Sequence, residues 1–346
     1  MQLSNRSPLC SGEDEPAGHW VGGRRDLLRW LASTLLLLTT NALSQGKPSI
    51  VIGYLAVASK DAGAGFFAAF KEGLAAYGWK EGTNYTLVSR WANSDYTRLD
   101  DLAKEIAATA PAIVVAAPSL AVIAAAKALP NVPVVQANGG DPVELGLAAS
   151  LARPGGMVTG VTNIIGETSE KSLELLLTAA PRVRCVGFLY EESRVSQLSV
   201  ESARRSLAKY AVEGRFAGAA TAAEIEPAVA QLAAQGAQAL VVLSGGILPS
   251  QRQPIVDLAS RRRWPIVSGL REFTEAGGLM SYGANRNALY NRAAYYVDKI
   301  LKGAQPRSLP FERPTRFELV INLKTAKTLG LTIPQSLLLR ADEVIQ

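Results

Sequence analysis

What most constrains this chain is an alternation, made twice over, of short continuous apolar runs with longer segments of helical period. Residues 50–55, 85–91, 112–116 and 132–136 are rich in β-branched, small apolar and aromatic side chains, and each is short enough to be a strand. Between the first two, Phe66, Phe67, Phe70, Leu74 and Tyr77 recur at three- and four-residue spacing, which lays them along one side of a helix. Leu99, Leu102 and Ile106 do the same in the next gap, and residues 119–129 read as a third helix. The pattern resumes at 183–189, 214–217, 239–243 and 265–267. Strands that are apolar on both faces must be covered on both, which describes parallel sheets with helices on either side. Two such runs within 346 residues predict an α/β chain of two doubly wound parallel-sheet lobes, over about 48–160 and 163–280.

The remaining C-terminal stretch is too small to stand alone. Residues 279–282 read as a strand and 285–301 as a helix; a proline-rich segment at 306–314 leads to a further strand at 317–322. One strand–helix pair cannot bury a core of its own. Residues 281–312 are therefore expected to rejoin the first lobe and 315–346 the second. The chain then crosses between lobes three times, a three-strand hinge that bends while keeping the lobes in register.

The N-terminus has a different character. Arg24, Arg25 and Arg29 precede a short leucine-rich run, and Ala42 and Ser44 follow it. A basic stretch, an apolar core and small residues describe an export signal, and a run of about ten residues is too short for the roughly 20 that span a bilayer. Residues 1–44 are expected to be a leader cleaved between Ser44 and Gln45, with the mature chain periplasmic. The Arg pair leaves twin-arginine and general export both open, and a buried N-terminal helix is the structural alternative. Of the two cysteines, Cys10 falls in the leader and Cys185 in an apolar strand, so the mature chain has no internal disulfide.

Several classes are disfavoured. The net charge is +6, but the basic residues are scattered and no nucleic-acid motif accompanies them. The one dense cluster, Arg261 to Arg263, sits where cations suit a helix C-terminus. The single histidine, His19, lies in the leader, which leaves the mature chain no imidazole for acid–base work or metal ligation. Residues 63–68 match a dinucleotide glycine pattern, yet the first glycine lies too far from the strand and Ser89, Arg90 and Trp91 occupy the place of an acidic strand end. The chain is expected not to be an enzyme, with no catalytic residues, metal or cofactor; a dinucleotide-dependent enzyme is the alternative.

Longer stretches carry a resemblance. Gly140 to Val143, Leu151 to Val161, Arg271 to Gly283, and Phe317 to Lys327 with Arg340 to Ile345 are similar to the signatures of one class of ABC-transporter substrate-binding proteins, over about 48–346. These are the tryptophan/tyrosine-type uptake receptors, with the type I periplasmic-binding fold. The resemblance implies a solute receptor for a small-molecule ligand, with an ABC permease and its ATPase as partners and only peripheral contact with the membrane complex. It makes an aromatic amino acid the candidate ligand. A periplasmic sensor feeding a signalling receptor would look the same.

In open parallel sheets ligands bind beyond the carboxyl ends of the strands, so the loops there name the candidate site. Ser119, after Pro118, is either a contact for an anion at a helix start or simply a helix cap. Asn138 lies in a glycine-rich loop that lets backbone approach a ligand, and Asp141 either meets an ammonium or caps the next helix. Glu272 or Glu191 offers a second-lobe carboxylate, and Arg271 a grip on an anion. Tyr54, Tyr190 and Tyr282 at strand ends either stack on a ring or pack the core edge. Ser59, Asn163 and Gly245 complete the expected lining. Together they suit a small carboxylate or zwitterion.

Overall fold

The computed structural model describes residues 49–163, 165–243 and 245–346, with the side chains at 165–167, 194 and 195 outside the description. The leader expected over 1–44, with its cleavage point, also lies outside the described residues.

In chain order the elements are β1 (Ile50–Ala56), α1 (Ala64–Ala76), β2 (Tyr85–Trp91), α2 (Leu99–Ala107), β3 (Ile113–Ala117), α3 (Ser119–Ala128), β4 (Val134–Gln136), β5 (Val158–Gly160) and α4 (Ile165–Ala179). Then come β6 (Cys185–Glu191), α5 (Arg194–Leu207), β7 (Glu213–Ala219), α6 (Ile225–Ala234), β8 (Ala239–Val242), α7 (Arg252–Arg261), β9 (Ile266–Ser268), α8 (Arg271–Glu275) and β10 (Met280–Ala284). The chain closes with α9 (Arg286–Leu301), β11 (Phe317–Asn322), α10 (Leu323–Leu329), α11 (Gln335–Leu338) and β12 (Glu343–Ile345).

These form two lobes, each built on one sheet. The first sheet is ordered β2-β1-β3-β4-β5 and wholly parallel. The second is ordered β12-β11-β10-β9-β8-β6-β7 and parallel except for the β10–β11 pair. The apolar runs explain the burial: all five residues of β3 and all four of β8 are buried, because helices cover both faces. In each sheet the order reverses beside the first strand of its run, between β1 and β3 and between β6 and β8. Such switch points leave a crevice at the strand ends.

The return to the first lobe begins four residues later than the sequence suggests. Residues 281–284 belong to β10, which pairs with β9 and β11 in the second sheet. The helix α9 is the first element back, packing along α1 with Leu289, Tyr290, Ala293 and Val297 buried. Gly73 of α1 permits that approach, since a Cβ there would lie 2.7 Å from the Asn291 carbonyl. Three connections thus link the lobes, after β5, after β10 and before β11. Two of them run side by side: Val161 bridges Glu312, Thr162 N donates to Glu312 O at 2.9 Å and Glu312 N to Gly160 O at 3.0 Å. The Arg292 guanidinium holds the Glu312 carboxylate with two bonds of 2.7 Å.

Candidate functional site

A cavity of about 290 Å³ lies between the lobes, lined by the strand-end loops of both. Its first-lobe wall is aromatic at one end. Tyr54, near the end of β1, packs edge-on to Phe67 at 4.8 Å between ring centroids and lies 5.3 Å from Trp91 at the end of β2. Phe66 stacks on Tyr290 of α9 at 5.1 Å, and the Arg286 guanidinium lies 4.1 Å over the Phe66 ring. Burial raises the Tyr54 and Tyr290 pKa values, so both phenols stay protonated; Arg286 beside them opposes that rise. The Trp91 indole N–H is buried with no hydrogen-bond partner among the described residues.

The other end of the first-lobe wall is polar. Ser119 opens α3 and its hydroxyl accepts from Gly140 N at 2.8 Å, tying two strand-end loops together. Gln136 supports the same loops from below, its amide donating to the carbonyls of Gly140 and Val161. Asn138 and Asn163 each hold a side-chain carbonyl buried and unpartnered among the described residues. Asn163 N donates to Gly139 O at 2.6 Å, which fixes the start of the first crossing against this loop.

The second lobe faces both ends. Glu191, the last residue of β6 and 2% exposed, accepts from Ile247 N at 3.0 Å and from the Tyr96 hydroxyl at 2.8 Å. Tyr96 stands on a one-turn helix before α2, so this bond joins the two lobes across the cleft. Burial and the Glu191 carboxylate push the Tyr96 pKa far above the ordinary phenol value, so it remains a donor. Gly245 and Gly246 make room: a Cβ at Gly245 would lie 2.6 Å from the Glu191 Cβ, and one at Gly246 only 1.9 Å from the Tyr96 hydroxyl. Glu272 on α8 accepts from Arg286 Nη1 at 3.0 Å.

Of the residues expected from sequence, Tyr54, Ser119, Asn138, Asn163, Glu191, Gly245 and Glu272 line the cavity. Five do not. Ser59 accepts from Ala62 N in its own turn, and Asp141 accepts from Val143 N at 2.8 Å, the capping alternative. Tyr190 packs against Gly218 of the neighbouring strand, and Tyr282 stacks on Phe317 at 5.5 Å. Both pack against the second-lobe core, the other role open to them. Arg271 is tied down by Glu275 and Glu343 at 2.8 Å each. Sequence reasoning missed Phe66, Tyr96, Arg286 and Tyr290 as lining. Phe66 was legible as helix periodicity, which marks a buried face but not a cavity. Among the described residues no group of His, Cys, Asp and Glu is placed to hold a metal.

Comparison with known proteins agrees with this fold. A family model described as ABC transporter substrate binding protein matches residues 52–345. A tyrosine-binding protein of Clostridioides difficile is 26% identical over 255 residues, covering 73% of each chain. Among solved structures, the ABC domain in complex with L-Trp from Streptococcus pneumoniae superposes with a TM-score of 0.81 at 26% identity, over 86% of this chain and 100% of that one. A branched-chain amino acid transporter substrate binding protein from the same organism, in complex with isoleucine, shares the fold at 14% identity and a TM-score of 0.55, over 75% of this chain and 86% of that one.

Proposed function

The chain belongs to the ABC transporter substrate-binding proteins, and from that premise we propose that it is an exported receptor that takes an aromatic amino acid between its lobes and delivers it to a membrane permease driven by an ATPase. The observation that carries this is the division of the cavity: clustered rings at one end, and the Ser119 hydroxyl with the unpaired side-chain carbonyls of Asn138 and Asn163 at the other. A zwitterion fits the polar end. Its ammonium meets the free carbonyls of Asn138 and Asn163, and its carboxylate meets the Ser119 hydroxyl and the first N–H groups of α3, where the helix dipole favours an anion. Its ring lies among Tyr54, Phe66, Trp91 and Tyr290, where burial and offset stacking both favour it. A cavity of about 290 Å³ suits one amino acid rather than a peptide.

Contacts from both lobes mean that the ligand binds the closed form better than the open one, and only that difference shifts the equilibrium. The closed form is then what the permease recognises. The basic, apolar and small-residue order of the N-terminus supports export to the periplasm. A thermal-shift screen of the twenty amino acids tests the ligand class. At a hundredfold excess over Kd a ligand stabilises by about 2.7 kcal/mol, so an aromatic amino acid is expected to raise the Tm by several degrees. Silence from all the aromatic amino acids contradicts the reading. Turnover of a nicotinamide cofactor by the purified chain would overturn the non-enzymatic assignment.

A further inference from the structure

Two cavities meet at one ion pair. Glu272 on α8 and Arg286 at the start of α9 line both the interlobe cavity and a neighbouring polar cavity of about 370 Å³ that Ser281, Asn285 and Glu318 help to bound. Their contact is single-pointed. Arg286 Nη1 donates to Glu272 Oε1 at 3.0 Å, while Glu272 Oε2 and Arg286 Nε are buried with no hydrogen-bond partner among the described residues. Guanidinium and carboxylate commonly pair through two parallel bonds. Here one strong acceptor and one strong donor are left over at the same place.

That place is the aromatic end. The Arg286 guanidinium covers the Phe66 ring, and Phe66 stacks on Tyr290. The polar end, with Ser119 after β3 and Asn138 after β4, lies one and two strands from β1, or roughly 5 to 10 Å at the usual strand spacing. An aromatic amino acid with its zwitterion at β3 and β4 therefore extends its ring toward Arg286.

The pair carries no net charge, and that decides what it accepts. An ammonium gains Glu272 but meets Arg286, and a carboxylate meets the reverse conflict. A hydroxyl conflicts with neither, since its O–H can donate to a carboxylate oxygen such as Oε2 and its oxygen can accept from an N–H such as Nε. An indole N–H can satisfy Glu272 alone. An unsubstituted phenyl ring satisfies neither and leaves both atoms buried and unpaired, which is how a polar site rejects an analogue lacking the matching group.

We propose that the Glu272–Arg286 pair is the specificity element that reads a hydroxyl at the far end of the ligand ring, so that the receptor prefers a phenolic amino acid to one with a bare ring. This rests on the aromatic-amino-acid reading and sharpens it. Titration calorimetry of the native chain with L-tyrosine, L-tryptophan and L-phenylalanine tests it without any variant. Tyrosine is expected to bind at least about tenfold tighter than phenylalanine, with tryptophan between them. In Glu272→Gln, the ratio of tyrosine to phenylalanine affinity is expected to fall to within about threefold of one. Equal binding of tyrosine and phenylalanine by the native chain overturns the proposal and leaves the aromatic reading standing. So does a Glu272→Gln chain that weakens both ligands alike, the mark of a purely structural pair. No binding of any of the three overturns both readings together.

Discussion

Asn138 and Asn163 hold side-chain carbonyls away from water with nothing among the described residues to bond them. A buried acceptor left unpaired costs about 1–3 kcal/mol, and a ligand ammonium removes that cost. Asn138→Ala and Asn163→Ala are therefore expected to leave the Tm unchanged or raised, while weakening amino-acid binding by about tenfold each. Paired thermal melts and calorimetry check this; a fall in Tm with affinity intact would make both residues structural. The polar half of the site was legible in sequence because loops that follow apolar strands could be located, and Ser119, Asn138 and Asn163 stand in them. Tyr190 and Tyr282 took the core-edge role the sequence had left open, because a run apolar on both faces does not say which face a tyrosine takes. Asp141 and Ser59 went to local turn bonds, the use to which short polar side chains in loops are commonly put. Arg286 could not be read at all. The return of its helix to the first lobe was expected, but no spacing in the sequence says that the first residue of that helix lines the cavity.

At the scale of elements, the bond from Tyr96 before α2 to Glu191 at the end of β6 is a latch between lobes. It adds to the closed form only, so it acts on affinity through the open–closed equilibrium. Tyr96→Phe is expected to weaken ligand binding by about three- to tenfold. Gly246→Ala is expected to do more, because its methyl would stand where the Tyr96 hydroxyl lies. Calorimetry on both variants decides it, and an unchanged affinity in Gly246→Ala would show that this contact plays no part in closure. The longer strands and helices matched their sequence patterns closely. The short strands β5 and β12 were not anticipated as strands: three residues among prolines, glycines or charges carry too little periodicity, and each exists by pairing with its neighbour in the sheet, β4 or β11.

For the whole molecule, three connections set how the lobes can move. The paired backbone of Val161 and Glu312, clamped by Arg292, makes two of them act together, which favours bending over sliding. The two-lobed fold followed from the doubled alternation alone. The exact point of the last crossings did not, because β10 is as apolar as a first-lobe strand would be and only its partners, β9 and β11, assign it. The central claim is that the lobes close around an aromatic amino acid. Small-angle X-ray scattering of the purified chain, alone and with saturating L-tyrosine or L-tryptophan, tests it most directly. The radius of gyration is expected to fall on ligand addition, with a matching loss of the longest interatomic distances. Identical profiles with the ligand shown to be bound would contradict it.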